Sequence, residues 1–186
     1  MSKPYLIVIT GRPGSGKTTL AKELSQAFHM PLISRDQIKE GYVQTQGKSH
    51  GELSQEVNGI VSKIFFETVE NLLSQGVSVV IEAAFQHRIW EFNLMKLKGL
   101  AQLNLLICKV DDELAHERYL QRGLKDESRV YFHGDDGIEL ARQGMEIEIR
   151  PYDEPKLDIP TYHIDTTSAE RQPSIEQLKE IILEKL

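Results

Sequence analysis

The sequence predicts an α/β fold, a parallel sheet covered by helices on both faces. Two observations carry that reading. Short apolar runs rich in β-branched residues alternate along the chain with segments of helical spacing, the order that builds parallel sheets. The runs are nearly continuous in apolar character, as expected of strands buried on both faces.

Tyr5-Leu-Ile-Val-Ile-Thr10 is the first such run and leads into a glycine-rich stretch. Thr19 to Phe28 has helical spacing, with Leu20, Leu24 and Phe28 on one face. A short second strand is expected around Pro31-Leu-Ile-Ser34, running into Arg35-Asp36, where Asp36 could cap a helix starting at Gln37. The polar, glycine-containing stretch from Gly41 to Gly51 reads as a mobile loop. From Leu53 through Val57, Val61, Phe65, Val69 and Leu73, apolar residues repeat at threes and fours, and Gly76 supplies a stop. Val77 to Ile81 is the third strand and ends at Glu82, and a helix from His87 to Leu100 leads to a fourth strand over Leu103–Lys109. Asp111 is placed to cap the helix carrying Arg118 and Arg122, which Gly123 would end. Asp136-Gly-Ile-Glu139 reads as a capping pair opening a helix that Pro151 terminates. Thr161–Asp165 is a last strand, and Ile175 to Leu186 an amphipathic closing helix.

The chain's 186 residues suit a single domain spanning 1–186. Its 28 acidic residues outnumber the 22 lysines and arginines, for a net charge of −6, which argues against a general nucleic-acid binder. Cys108 is the one cysteine and lies in an apolar run, so it reads as a buried small hydrophobe, and no disulfide framework or metal-type Cys/His spacing exists. No signal-type leader and no membrane-spanning stretch are visible, so a cytoplasmic location is expected and no membrane partner.

Residues 11 to 18, Gly-Arg-Pro-Gly-Ser-Gly-Lys-Thr, match the phosphate-binding pattern Gly-x4-Gly-Lys-[Ser/Thr] in full. Its glycines let backbone N–H groups turn around a phosphate, Lys17 can reach the β- and γ-phosphates, and the Thr18 hydroxyl can ligate Mg²⁺. The following helix adds a favourable dipole for the anion. The expected nucleotide-binding set is Gly11, Arg12, Pro13, Gly14, Ser15, Gly16, Lys17, Thr18 and Thr19.

Asp36 lies past a strand end, where ligands of open parallel sheets bind, and could accept a proton from a substrate hydroxyl. Glu82 closes an apolar strand and could support Mg²⁺, or stand there as an exposed strand-end acid. Arg118 and Arg122 are four apart on one helical face and could clamp phosphates, with Glu117 and Asp126 as alternative partners. Arg129 follows the same logic from a weaker position. His87, His133 and Trp90 read more readily as packing or surface residues than as chemistry.

The loop sequence, Ile33-Ser-Arg-Asp36-Gln-Ile, Val79-Val-Ile-Glu82-Ala-Ala-Phe85, Glu117-Arg-Tyr-Leu-Gln-Arg122 and Ile164-Asp165-Thr166-Thr167 together resemble the small P-loop kinases of the AAA_33 or zeta-toxin-like type. That group includes chloramphenicol phosphotransferase and the kinase half of polynucleotide kinase. The resemblance covers nearly the whole chain, though only the loop is specific by itself. It implies a P-loop NTPase three-layer sandwich with a five-stranded parallel sheet in the order 2-3-1-4-5. A helical lid over about 123–150 is implied as well. It further implies an ATP-dependent phosphotransferase that uses Mg²⁺ and acts on a hydroxyl of a small molecule. Asp36 would be the acceptor base, Lys17, Arg118 and Arg122 would stabilise charge, and Thr166 and Thr167 would border the adenine. The chain departs from the family at Lys39, where arginine is common, and at the strand-end acid Glu82. A 5′-hydroxyl nucleic-acid kinase, or an ATPase or nucleotide switch with no acceptor, are the competing readings.

Overall fold

The computed structural model describes residues 2–149 and 151–183. Five strands form one sheet: β1 (Tyr5–Thr10), β2 (Leu32–Ser34), β3 (Val79–Glu82), β4 (Gln102–Lys109) and β5 (Thr161–Asp165). Their order is β2-β3-β1-β4-β5, and every pair is parallel. The fold is therefore the three-layer P-loop sandwich with its 2-3-1-4-5 sheet. All six residues of β1 are buried, because it lies between β3 and β4 with helices above and below.

The period-2 geometry of β1 splits its side chains between two cores. Leu6 and Val8 join Phe65, Val69, Val79, Ile81, Trp90, Leu94 and Leu105 under α3 (Val57–Ser74) and α4 (His87–Leu97). Tyr5, Ile7 and Ile9 join Leu20, Leu24, Val80, Leu106, Ile164, Leu178 and Ile182 under α1 (Lys17–Phe28) and α8 (Ile175–Leu183). Phe65, Phe66, Phe85 and Trp90 make a cluster of edge-on and stacked rings in the first core. Cys108 is buried in the second, as expected, and burial pushes its thiol up to about 12.

Several expected boundaries move. The stretch from Gly41 is not a loop: α2 spans Arg35–Gln46 and passes through Gly41, stopping at Gly47 with φ 63°. Helix continuation there follows from good formers on either side, which outweigh one exposed glycine at about 1 kcal/mol. Ser34, not Asp36, is the α2 N-cap residue, so Asp36 lies inside the first turn. Helix α3 starts at Val57 rather than Leu53, after a single 3-10 turn at His50–Glu52. Val77 and Ser78 precede β3 instead of belonging to it. Helix α4 stops at Leu97, short of Leu100.

Asp111 does cap α5 (Asp112–Lys125), accepting from Glu113 N and Leu114 N, but the helix runs two residues past Gly123. Gly123 leaves room for Ile138, which packs where a side chain at that position would be. Two short helices follow, α6 (Ser128–His133) and α7 (Asp136–Arg142). Helix α7 ends at Arg142, well before Pro151, and is entered from Asp135 without a side-chain cap. The end of the closing helix at residues 184–186 lies outside the described residues.

Candidate nucleotide and acceptor site

The glycine loop joins β1 to α1 at the carboxyl end of the central strand. Helix α1 begins at Lys17, two residues earlier than the periodicity suggested, with Gly16 as its cap at φ 80°. Gly14 sits at φ 83°, and a Cβ there would collide with the Ala115 carbonyl, so the loop is pressed against α5. The N–H groups of Gly14, Gly16, Lys17 and Thr18 make no backbone hydrogen bond among the described residues. The Ser15 hydroxyl is buried and without a hydrogen-bond partner among the described residues. A row of donors left open at a helix start is a cradle for an anion, and its chemistry fits a phosphate chain.

Glu82 is 1 % exposed, so the exposed strand-end alternative is wrong. Its Oε1 accepts from the Thr18 hydroxyl at 3.1 Å, and its Oε2 from the Ser34 hydroxyl at 2.8 Å. Lys17 Nζ stands 3.9 Å from Oε1, so the ion pair is loose. A buried carboxylate beside a hydroxyl and an open phosphate cradle suits a divalent cation. Among the described residues no cluster of three or more His, Cys, Asp or Glu could hold one without help from phosphate oxygens.

Asp36 enters this group from the first turn of α2. Burial alone would raise its carboxyl, but the charges of Lys17, His133, Arg35 and Arg129 outweigh it and hold the group below the usual carboxylate range. Asp36 thus favours its ionised form and lies within electrostatic reach of the lysine of the loop. Arg35 Nη1 lies 3.7 Å from Asp36 Oδ1, and its Nη2 donates to Asn58 Oδ1 at 2.8 Å.

Arg118 and Arg122 leave one face of α5 for different neighbours. Arg118 donates to the carbonyls of Thr166 at 2.9 Å and Thr167 at 2.6 Å, bracing the turn after β5. The Thr166 hydroxyl points inward, donating to Ser15 O at 2.7 Å and Lys109 O at 2.9 Å, and so ties this turn to the glycine loop. Arg122 lies exposed on the helix, within electrostatic reach of Arg129, Asp36, Asp135 and Glu82. Arg129 pairs with Asp135 at 3.2 Å across the α6–α7 junction. Arg12 pairs with Asp112, Pro13 and Thr19 are exposed, and Gly11 begins the loop directly after β1.

Lys39 and His133 fasten α6 to α2. Lys39 is 4 % exposed and donates from Nζ to His133 O at 2.9 Å, while His133 Nε2 meets Glu40 Oε1 at 2.9 Å. Burial, with the nearby Arg35 cation, pulls the Lys39 ammonium down to about 8. Trp90 is wholly in the core and donates from Nε1 to Thr10 Oγ1 at 2.9 Å. His87 accepts from Lys156 N at 3.2 Å, holding the returning chain rather than facing the site.

Sequence reasoning missed three residues. Ser34 orients Glu82, Arg35 flanks Asp36, and the Tyr152 hydroxyl meets Thr10 Oγ1 at 2.7 Å beside the loop's root. The first two lay within two positions of Asp36, which was already singled out, and that was the available signal. Tyr152 had none, since its contact depends on a chain return 142 residues away.

Comparison with known proteins agrees with this fold. A crystallised candidate kinase from Chloroflexus aurantiacus J-10-fl superposes with a TM-score of 0.78 at 25 % identity over 100 % of both chains. Shikimate kinase of Bacillus cereus is 28 % identical over 179 residues, covering 96 % of this chain and 98 % of that one. A chain of the Pnkp1/Rnl/Hen1 RNA repair complex shares the fold, with a TM-score of 0.58 at 16 % identity over 85 % of this chain and 51 % of that one. No helix among the described residues is long and apolar enough to cross a membrane. The family model for the AAA domain AAA_33 matches residues 6–136, and the chain belongs to that family, in the group of P-loop kinases.

Proposed function

We propose that the protein is an ATP-dependent phosphotransferase that moves the γ-phosphate to a hydroxyl of a small-molecule acceptor, within one domain that has its lid over about 123–150. The observation that carries this reading is the convergence of two groups at the sheet's carboxyl end. One is the open phosphate cradle with Lys17, and the other is the ionised carboxylate of Asp36, held in the field of that same lysine.

The N–H groups of Gly14, Gly16, Lys17 and Thr18 hold the phosphate chain, and Lys17 neutralises its β- and γ-oxygens. Thr18 and Glu82 would hold Mg²⁺, which supplies charge neutralisation across the β- and γ-phosphates when bound. Asp36 takes the proton of the acceptor hydroxyl as the new O–P bond forms. The bond from the γ-phosphorus to the bridging oxygen breaks, and ADP leaves. Arg122 and Arg129 spread the charge that develops on the transferring group, and Arg118 with Thr166 and Thr167 shapes the base end. Closure of α6 and α7 over the site would exclude water and limit hydrolysis.

The test is ADP release with MgATP, alone and against pools of sugars, nucleosides, antibiotics and 5′-hydroxyl oligonucleotides, with phosphorylated product followed separately. A slow background rate raised by one small-molecule pool, with matching product, is the expected result. Fast hydrolysis that no pool changes would instead identify an ATPase or switch. Product only from the oligonucleotide pool would identify a nucleic-acid end kinase.

A further inference from the structure

The chain that leaves α7 regains firm attachment at Tyr152. Residues 146–149 make no backbone hydrogen bond among the described residues. From Tyr152 onward, contacts come at nearly every position. Asp153 O accepts from His87 N at 2.8 Å, and Asp153 N donates to Gln86 Oε1 at 2.6 Å. Glu154 pairs with Lys109, Lys156 N donates to His87 Nδ1 at 3.2 Å, and Leu157 packs against the core under α3 and α4.

Tyr152 opens this series at the root of the phosphate loop. Its hydroxyl lies 2.7 Å from Thr10 Oγ1, and Thr10 is fully buried at the end of β1. The same Thr10 oxygen accepts from Trp90 Nε1 at 2.9 Å, so Thr10 is gripped both by the core and by the returning chain. Burial pushes the Tyr152 phenol up to about 12, so it stays a neutral hydroxyl near neutral pH. The Gly11 N–H stands near that oxygen too.

Gly11 in turn has no slack against the middle of the loop. A Cβ on Gly11 would meet Ser15 Oγ at 2.5 Å and Cys108 O at 3.0 Å. The Ser15 hydroxyl is buried without a hydrogen-bond partner among the described residues, beside the open N–H groups of the cradle. A phosphate chain settling there changes the surroundings of Ser15. Close packing passes such a change to Gly11 and Thr10, and so to Tyr152.

We propose that Tyr152 is a positioning residue whose hydroxyl fastens the chain leaving α7 to the root of the phosphate loop, so that a nucleotide filling the loop also orders residues 143–149. The inference rests on the reading of the loop as a nucleotide site and adds a residue that acts through Thr10 and Gly11. Losing the hydroxyl alone leaves the ring in place, with the anchors at Asp153, Glu154 and Lys156. The fold survives while the tie between loop and exit chain is lost.

The experiment uses a glutamate-specific protease, which can cut after Glu146 and Glu148. Cleavage is followed with and without Mg²⁺ and the non-hydrolysable analogue AMP-PNP, whose affinity is measured separately by calorimetry. Saturating AMP-PNP should slow these cuts at least about tenfold in the unmodified protein and less than about twofold in Tyr152→Phe. The Kd for AMP-PNP should change less than about threefold, and the Tm should fall by no more than about 4 °C. Thr10→Ser keeps the hydroxyl and should retain the protection, a rescue that general loosening would not give. Hydrogen exchange at residues 143–149 of the unmodified chain reads the same ordering without any variant, and AMP-PNP should slow it. Protection of Tyr152→Phe equal to that of the unmodified protein would overturn the inference and leave the kinase reading standing. Bound AMP-PNP that leaves both cleavage and exchange of the unmodified protein unchanged would do the same. No binding of AMP-PNP would overturn both.

Discussion

The glycine loop and the α6–α7 segment, the proposed lid, are held in place by different forces. The loop grows out of β1, whose six residues are all buried between neighbouring strands. It is pressed on one side by Ala115 and tied on another through the Thr166 hydroxyl to Ser15 O. The lid segment is two helices of six and seven residues. Its attachments among the described residues include Lys39 to His133 O, His133 to Glu40, Arg129 to Asp135, Arg142 to Gly123 O, His50 against Gly134 and Ile138 packed on Gly123. Moving the loop means breaking sheet and core, whereas moving the α6–α7 segment breaks a smaller set of polar contacts together with the burial of Ile138. A rigid cradle under a loosely fastened cover is the arrangement a phosphotransferase needs, because substrates must enter before water is shut out.

Substitutions on each side should show the contrast. Lys17→Ala on the loop side should reduce ATP turnover by at least about a hundredfold in steady-state assays, since it removes a charge from the phosphate chain itself. Gly14→Ala should damage the same side structurally. Its Cβ meets the Ala115 carbonyl and its φ of 83° disfavours a side chain, so a loss of about 2–4 kcal/mol is expected from overpacking and backbone strain combined. Thermal denaturation would read that loss as a lowered Tm, accompanied by weakened ATP binding.

On the lid side, His133→Ala should cost only about 1 kcal/mol of global stability. Limited proteolysis should nevertheless cut within 123–150 faster, because the clasp to Glu40 is gone. A global loss as large as that of Gly14→Ala would show that the lid is part of the core after all.

A further effect concerns pH. The Cys108 thiol is raised from 9.0 to about 12 in the folded chain, chiefly by burial. Above pH 9 the unfolded chain therefore releases a proton that the folded chain keeps, and stability falls as pH rises. The whole effect is at most about 4 kcal/mol by linkage, of which only the first part is reached at pH 10. Cys108→Ala should flatten that fall in denaturant titrations between pH 8 and 10. Lys39 contributes with the opposite sign. Its folded value of about 8 lies below 10.5, so the unfolded chain binds more protons between those values, and this term alone makes stability rise with pH there. Lys39→Met should remove that rise.

Legibility followed the same division. The loop, β1, β4 and the two buried helix faces were readable because their chemistry and their period are local. Glu82 was placed correctly at a strand end, but its burial was not visible, since it depends on Ser34 and Thr18 arriving from other elements. Within the stretch from Gly41 to Gly51, residues 41–46 were misread as loop because one glycine was given more weight than the helical residues around it. Arg122 and Arg129 were singled out by charge and spacing, while the clasp of Lys39 and His133 to each other's helices was not. Contacts between polar residues about 93 positions apart leave no periodic trace in a sequence.

The most direct test of the account is Asp36→Asn, examined for ATP binding by calorimetry and for phosphate transfer with the acceptor found in the screen. The account predicts ATP affinity within about twofold of the unmodified protein and transfer reduced by at least about a hundredfold. Transfer at the unmodified rate would contradict Asp36 as the base, and with it the convergence of loop and carboxylate on which the functional reading rests.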